Sequence, residues 1–167
     1  MEHGAFARLR KELLELAEDP PAGCWCDDTA SYVSHPFLYW QALVAGPEGT
    51  PYEEGLFRLV LVFKDYPWQP PDIMVTTKIL HCNVALNGLV KMEVLGNWTP
   101  TRTVKELLLA FRALLASPVE AEGFAAVPEA AWLRRFHRWE HDALARQCTE
   151  TFARRNQAEG TEPQTRV

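Results

Sequence analysis

The chain has 167 residues, 47% of them hydrophobic, and a formal net charge of -5. That size and composition suit one globular domain with its own core, and the acidic balance argues against a general nucleic-acid binder. No run approaches the ~18 consecutive apolar residues of a membrane span, and the charged N-terminus lacks a signal-peptide apolar core, which points to the cytoplasm or nucleus.

Residues 5–18 predict an amphipathic helix, with Phe6, Leu9, Leu13 and Leu16 at steps of three and four. Arg8, Arg10, Lys11 and Glu12 occupy the other face. That face is either solvated or a docking surface, and composition does not separate the two. Asp19, Pro20 and Pro21 stop the helix, because proline cannot continue it. A polar stretch runs to about Pro36, and strands are then expected at 37–45, 56–63 and 72–79. Turn-rich links of the GPEGTPYEEG and KDYPWQPP type join them, which predicts an antiparallel meander.

From Thr76 to Thr101 the pattern turns irregular and polar, with an adjacent His81, Cys82 and Asn83. An irregular polar segment between regular elements is the expected place for function. Thr103 and Glu106 have capping-box spacing and open a helix with an apolar stripe of Val104, Leu107, Leu108, Phe111, Leu114 and Leu115. A second helical stretch covers about 128–155, with Trp132, Phe136, Trp139 and Ala143 on one side and a break that pattern alone does not place. Most of the large aromatics are expected in the core. The expected layout is one core domain over 1–156 and a frayed tail over 157–167.

The chain has four cysteines, Cys24, Cys26, Cys82 and Cys148. The C-x-C pair has no second pair to complete a zinc site, so the reading is free thiols in a reducing compartment, with no metal or cofactor.

The residues at the joints carry a resemblance. AGPEGTPYEEGLF, DYPWQPPDIMVTTKILHCN and NGLVKMEVLGNWTP resemble, in order, signature segments of ubiquitin-conjugating enzymes. The opening RLRKELLELAEDPP is similar to the first helix of that family. The resemblance covers about residues 5–120 and is looser beyond. It implies an α+β fold: an N-terminal helix, a four-stranded antiparallel meander and C-terminal helices.

The departures bear on activity. The family's nucleophilic cysteine sits eight residues after the asparagine of its His-Pro-Asn motif, and here that position is Lys91. A thiolate gives a thioester that can be passed on. An amine at Lys91, were its pKa lowered by desolvation, would give an amide that ends the relay. The resemblance therefore implies a catalytically inactive homologue; the alternatives are a transferase whose cysteine has been replaced by Lys91, or transfer through Cys82, which stands where the family has proline.

Asn83 matches the family residue that supports the oxyanion or orders the loop, and His81 a structural residue. Glu122 falls near the family's acidic residue at the cleft, or is a solvated carboxylate. RING or U-box ligases dock in the family on positions matching Arg8, Lys11, Trp68, Pro100 and Thr101. The implied partners are ubiquitin or a ubiquitin-like modifier, such a ligase or an active conjugating enzyme, and the activating enzyme. Against that docking role, Trp98 and part of Trp68 are candidates for the core.

Overall fold

The computed structural model describes residues 2–27, 39–121 and 123–154. Helix α1 spans Glu2–Glu18, followed by strands β1 (Cys24–Asp27), β2 (Tyr39–Ala45), β3 (Leu56–Val62) and β4 (Asp72–Val75). A single helical turn, α2 (Glu93–Gly96), precedes α3 (Val104–Ala116), α4 (Pro128–Phe136) and α5 (Arg138–Phe152). The strands form one antiparallel sheet in the order β1-β2-β3-β4. This is the α+β arrangement the resemblance implies. Among the described residues no helix is long and apolar enough to cross a membrane.

The core lies between the sheet and α3. All six residues of the predicted α3 stripe are buried. Thr103 accepts from the Glu106 N–H at 3.3 Å while the Glu106 carboxylate accepts from the Thr103 N–H at 3.1 Å, so the capping box closes in both directions. Facing them, Trp40, Phe57, Leu59 and Leu61 are fully enclosed, and Trp40 meets Phe63 edge to face at 4.8 Å. Burying each such side chain contributes roughly 1.5–3 kcal/mol, which is what holds α3 on the sheet.

Four expectations need correction. Cys24–Asp27 is a strand, paired in register with Gln41–Val44, although it sits in the stretch read as polar. The strand expected at 72–79 ends at Val75, where the Thr76 N–H turns to the Arg58 carbonyl at 2.9 Å. Glu12, placed on a face read as either solvated or a docking surface, is 5% exposed. Trp132, Phe136 and Trp139, expected in the core with most of the large aromatics, are open to solvent. The break between the helices falls at His137, whose N–H still caps Leu133. Phe37 and Leu38, and the 157–167 tail, lie outside the described residues.

Two links bring the irregular segment against this frame. Tyr52, fully buried, donates its hydroxyl to the Leu80 carbonyl at 2.8 Å, so the 46–55 loop holds the chain just before His81. Gly88 has φ 87°, and a Cβ there would lie 2.3 Å from the Val75 carbonyl oxygen. Only glycine fits that close approach of the 84–90 turn to β4.

Candidate functional site

His81, Cys82 and Asn83 are all buried and bonded to their surroundings. The His81 ring donates from Nε2 to the Leu114 carbonyl at 3.1 Å and accepts at Nδ1 from the Asn83 N–H at 3.0 Å. Both bonds fit the neutral ring. Burial, helped by Arg134 and His141 and opposed by the Leu114 bond, lowers its pKa to about 4.

Asn83 pairs with one backbone unit in both directions. Its Nδ2 donates to the Val119 carbonyl at 2.8 Å, and its Oδ1 accepts from the Val119 N–H at 2.9 Å. The segment following α3 is thereby fastened to the His81–Asn83 loop. The Cys82 thiol, 1% exposed, lies against Asn83 Oδ1 at 3.4 Å and belongs to a small apolar cluster with Ala130 and Ala131. Burial raises its pKa, with Arg134 pulling the other way. The Cys82 carbonyl accepts from the N–H groups of Ala126 and Val127, at 2.7 and 3.0 Å, just before α4.

A tight turn carries the chain from Asn83 back to Lys91. Val84 bridges Val90, and the Lys91 N–H donates to the Asn83 carbonyl at 2.8 Å. The Lys91 side chain is exposed. Immediately after it, Met92 to Asn97 form one wall of a cleft of about 400 Å³, whose other wall includes Leu114 and Val119. Glu122 lies outside the described residues; its neighbour Glu120 pairs with Arg134 at 2.8 Å.

The predicted docking residues fall into two kinds. Arg8 is tied down: its guanidinium donates to Glu12 at 2.9 Å, to the Pro100 carbonyl, and to the Arg102 carbonyl at 2.6 Å. It also lies over the Tyr66 ring. Lys11, Trp68 and Thr101 are exposed, Trp68 at 70%. Trp98 is half-buried, packs on the core and donates its indole N–H to the Pro67 carbonyl at 2.7 Å, holding the loop that carries Trp68.

Sequence reasoning gave no role to Glu12, the hub of this corner. Its carboxylate accepts from Arg8, from the Tyr66 hydroxyl at 2.6 Å and from the Val104 N–H at 2.8 Å. One buried side chain thus joins α1, the 66–68 loop and the start of α3. It stands three residues after Leu9 and four before Leu16, at the side of the apolar stripe, and that spacing is the signal that could have marked it.

The family model of ubiquitin-conjugating enzymes matches residues 8–149. The chain belongs to that family. Ubiquitin-conjugating enzymes in general work with ubiquitin or a ubiquitin-like modifier and with ligases. Each candidate residue described above, from Arg8 to Thr101, falls within the matched span.

Proposed function

We propose that this member of the ubiquitin-conjugating enzyme family forms no thioester and acts through protein contacts in a ubiquitin or ubiquitin-like conjugation pathway, as adaptor, heterodimer partner or decoy. The observation that carries the reading is Lys91, exposed beside the cleft with its main chain bonded to Asn83. Cys82 is a poor substitute: it is enclosed, its proton is held more tightly than usual, and attack by a thiol requires an accessible thiolate.

In this reading Asn83 and His81 order the loop. Burial leaves the Asn83 amide facing Val119 instead of a developing charge. Exposed Trp68 supports ligase docking of the RING or U-box type, with exposed Lys11 and Thr101 as further candidate contacts and the Arg8–Pro100 bond holding the corner in shape. An exposed aromatic on a rigid loop is a suitable anchor for a partner. The protein is read as one core domain over 1–156, working in the cytoplasm or nucleus without a cofactor.

A second reading has one observation in its favour. Exposed Lys91 is free to receive a modifier from the activating enzyme, which would trap it as an amide.

Competition tests the proposal. The chain, added in excess to a ligase reaction run by an active conjugating enzyme, should slow transfer, and Trp68→Ala should relieve the inhibition. Transfer unaffected by the unsubstituted chain across a panel of ligases would remove the decoy version. Failure to bind active homologues as well would remove the proposal.

A further inference from the structure

A hydroxyl followed directly by proline is the pattern on which proline-directed protein kinases act, and several of them also prefer a basic residue three positions after the hydroxyl. The chain holds three such pairs, Thr50-Pro51, Thr99-Pro100 and Ser117-Pro118. Thr99 has a cation at the third position, Arg102, where Thr50 and Ser117 have Glu53 and Glu120. The structure separates the three in the same way. The Thr50 side chain is half-buried and tied, donating to the Pro47 carbonyl at 2.6 Å and accepting from the Tyr52 N–H at 3.2 Å. Ser117 is exposed, but the residues a kinase would read after it are fixed: Val119 has both main-chain groups on Asn83, and Glu120 pairs with Arg134 at 2.8 Å.

Thr99 is exposed, and among the described residues its hydroxyl meets only that of Thr101, itself exposed, at 3.0 Å. The Thr99 carbonyl accepts from the Arg102 N–H at 3.0 Å, closing a turn with Pro100 at its second position. Arg8 holds this turn by the Pro100 and Arg102 carbonyls and uses neither threonine hydroxyl. The turn adjoins the loop that carries Trp68: Trp98, the residue before Thr99, donates its indole N–H to the Pro67 carbonyl at 2.7 Å. A charged group on Thr99 would therefore sit at the corner read above as the ligase surface.

We propose that Thr99 is a phosphorylation site for a proline-directed kinase, and that phosphate there closes the corner to ligases. In the transfer the Thr99 hydroxyl oxygen bonds to the γ-phosphorus of ATP, the bond from that phosphorus to the ADP oxygen breaks, and the hydroxyl proton passes to the kinase's base. The product brings a charge of about -1.5 to -2 and three acceptor oxygens to the edge of an apolar contact. A ligase closing over Trp68 would then have to strip water from that charge, which opposes docking. The regulatory half rests on the reading that ligases dock at this corner; the modification itself does not.

Phosphate mapping on the folded full chain tests the site. With a kinase that phosphorylates the free peptide 96–103, the full chain and ATP should yield a product carrying phosphate on Thr99 in tandem mass spectra. Thr99→Val should lose most of the incorporated phosphate, and Ser117→Ala should keep it. Phosphorylated and untreated chains are then titrated against a RING or U-box ligase that binds the untreated one. Phosphorylation should weaken that binding about tenfold or more, and phosphatase should restore it. Kinase-treated Thr99→Val should bind as its own untreated form does. The site is overturned if proline-directed kinases refuse the peptide, or if they modify the peptide while the folded chain takes no phosphate on Thr99. The regulatory half is overturned if the phosphorylated chain binds as tightly as the untreated one. If no ligase binds the untreated chain, the docking reading falls and the regulatory half with it, while the mapping still decides the site.

Discussion

The main-chain N–H of Lys91 donates to the carbonyl of Asn83 across 2.8 Å, closing the turn that Val84 and Val90 begin. This pairing sets where the Lys91 side chain emerges, independently of what that side chain is. Lys91→Cys should therefore place an exposed thiol next to Met92, where the cleft lining begins, without disturbing the loop. Incubated with activating enzyme, ATP and ubiquitin, the variant should gain an adduct that reductant removes. A Lys91→Cys protein that takes up no ubiquitin would mean that position 91 alone does not decide whether this chain can be charged.

Asn83 makes two bonds to Val119 that no other residue can make in its place. Asn83→Ala would leave the part-buried Val119 N–H without its acceptor and the Val119 carbonyl with only the weak Cys82 thiol contact, at a cost of about 1–3 kcal/mol. Asn83→Asp keeps the acceptor but sets an oxygen against the Val119 carbonyl, and should also destabilise. Urea unfolding of both variants checks this. Unchanged midpoints would argue against a structural role and return Asn83 to catalysis.

The pKa of His81, lowered to about 4, makes the fold acid-sensitive. The unfolded chain takes up this proton near the reference value of about 6.5, whereas the folded chain resists it down to about 4. The unfolded state thus binds more protons between those limits. The contribution is complete above about pH 6.5 and fades as pH falls toward 4, by on the order of 3 kcal/mol. Unfolding curves collected across this range should show the loss. His81→Gln, with a donor and an acceptor but no titrating proton, should flatten that part of the profile.

Glu12 should matter to partner binding without touching a partner. Glu12→Ala removes the acceptor shared by Arg8, Tyr66 and Val104 and should cost about 3 kcal/mol. Because the corner beneath Trp68 loosens, ligase binding should weaken even at temperatures where the variant remains folded. Calorimetry with a ligase that binds the unsubstituted chain separates the two effects.

Much of this architecture is legible in the residues, and the failures have physical causes. The α3 stripe and its cap were readable because both local signals, apolar spacing and Thr103–Glu106, agree with the tertiary contacts. β1 was missed because four residues with two cysteines carry too little alternation to stand out; pairing with β2 makes it a strand. Periodicity places Trp132 and Phe136 together, as the structure does, yet it does not report the break before Trp139 or whether anything covers that face. Glu12 has the helical spacing of the apolar stripe, three after Leu9 and four before Leu16, but its charge assigns it to the outside until Tyr66 and Val104, distant in sequence, supply its partners. At the candidate site the resemblance names residues but not their enclosure: that Cys82 and Asn83 are sealed beneath Val119 and α4 follows only from the folded chain.

The most direct test of the central claim is a charging assay on the unsubstituted protein with activating enzyme, ATP and labelled ubiquitin, resolved with and without reductant. The account predicts no reductant-sensitive adduct. A band that forms and then disappears on reduction would contradict it, because a thioester requires a working cysteine that Lys91 cannot supply.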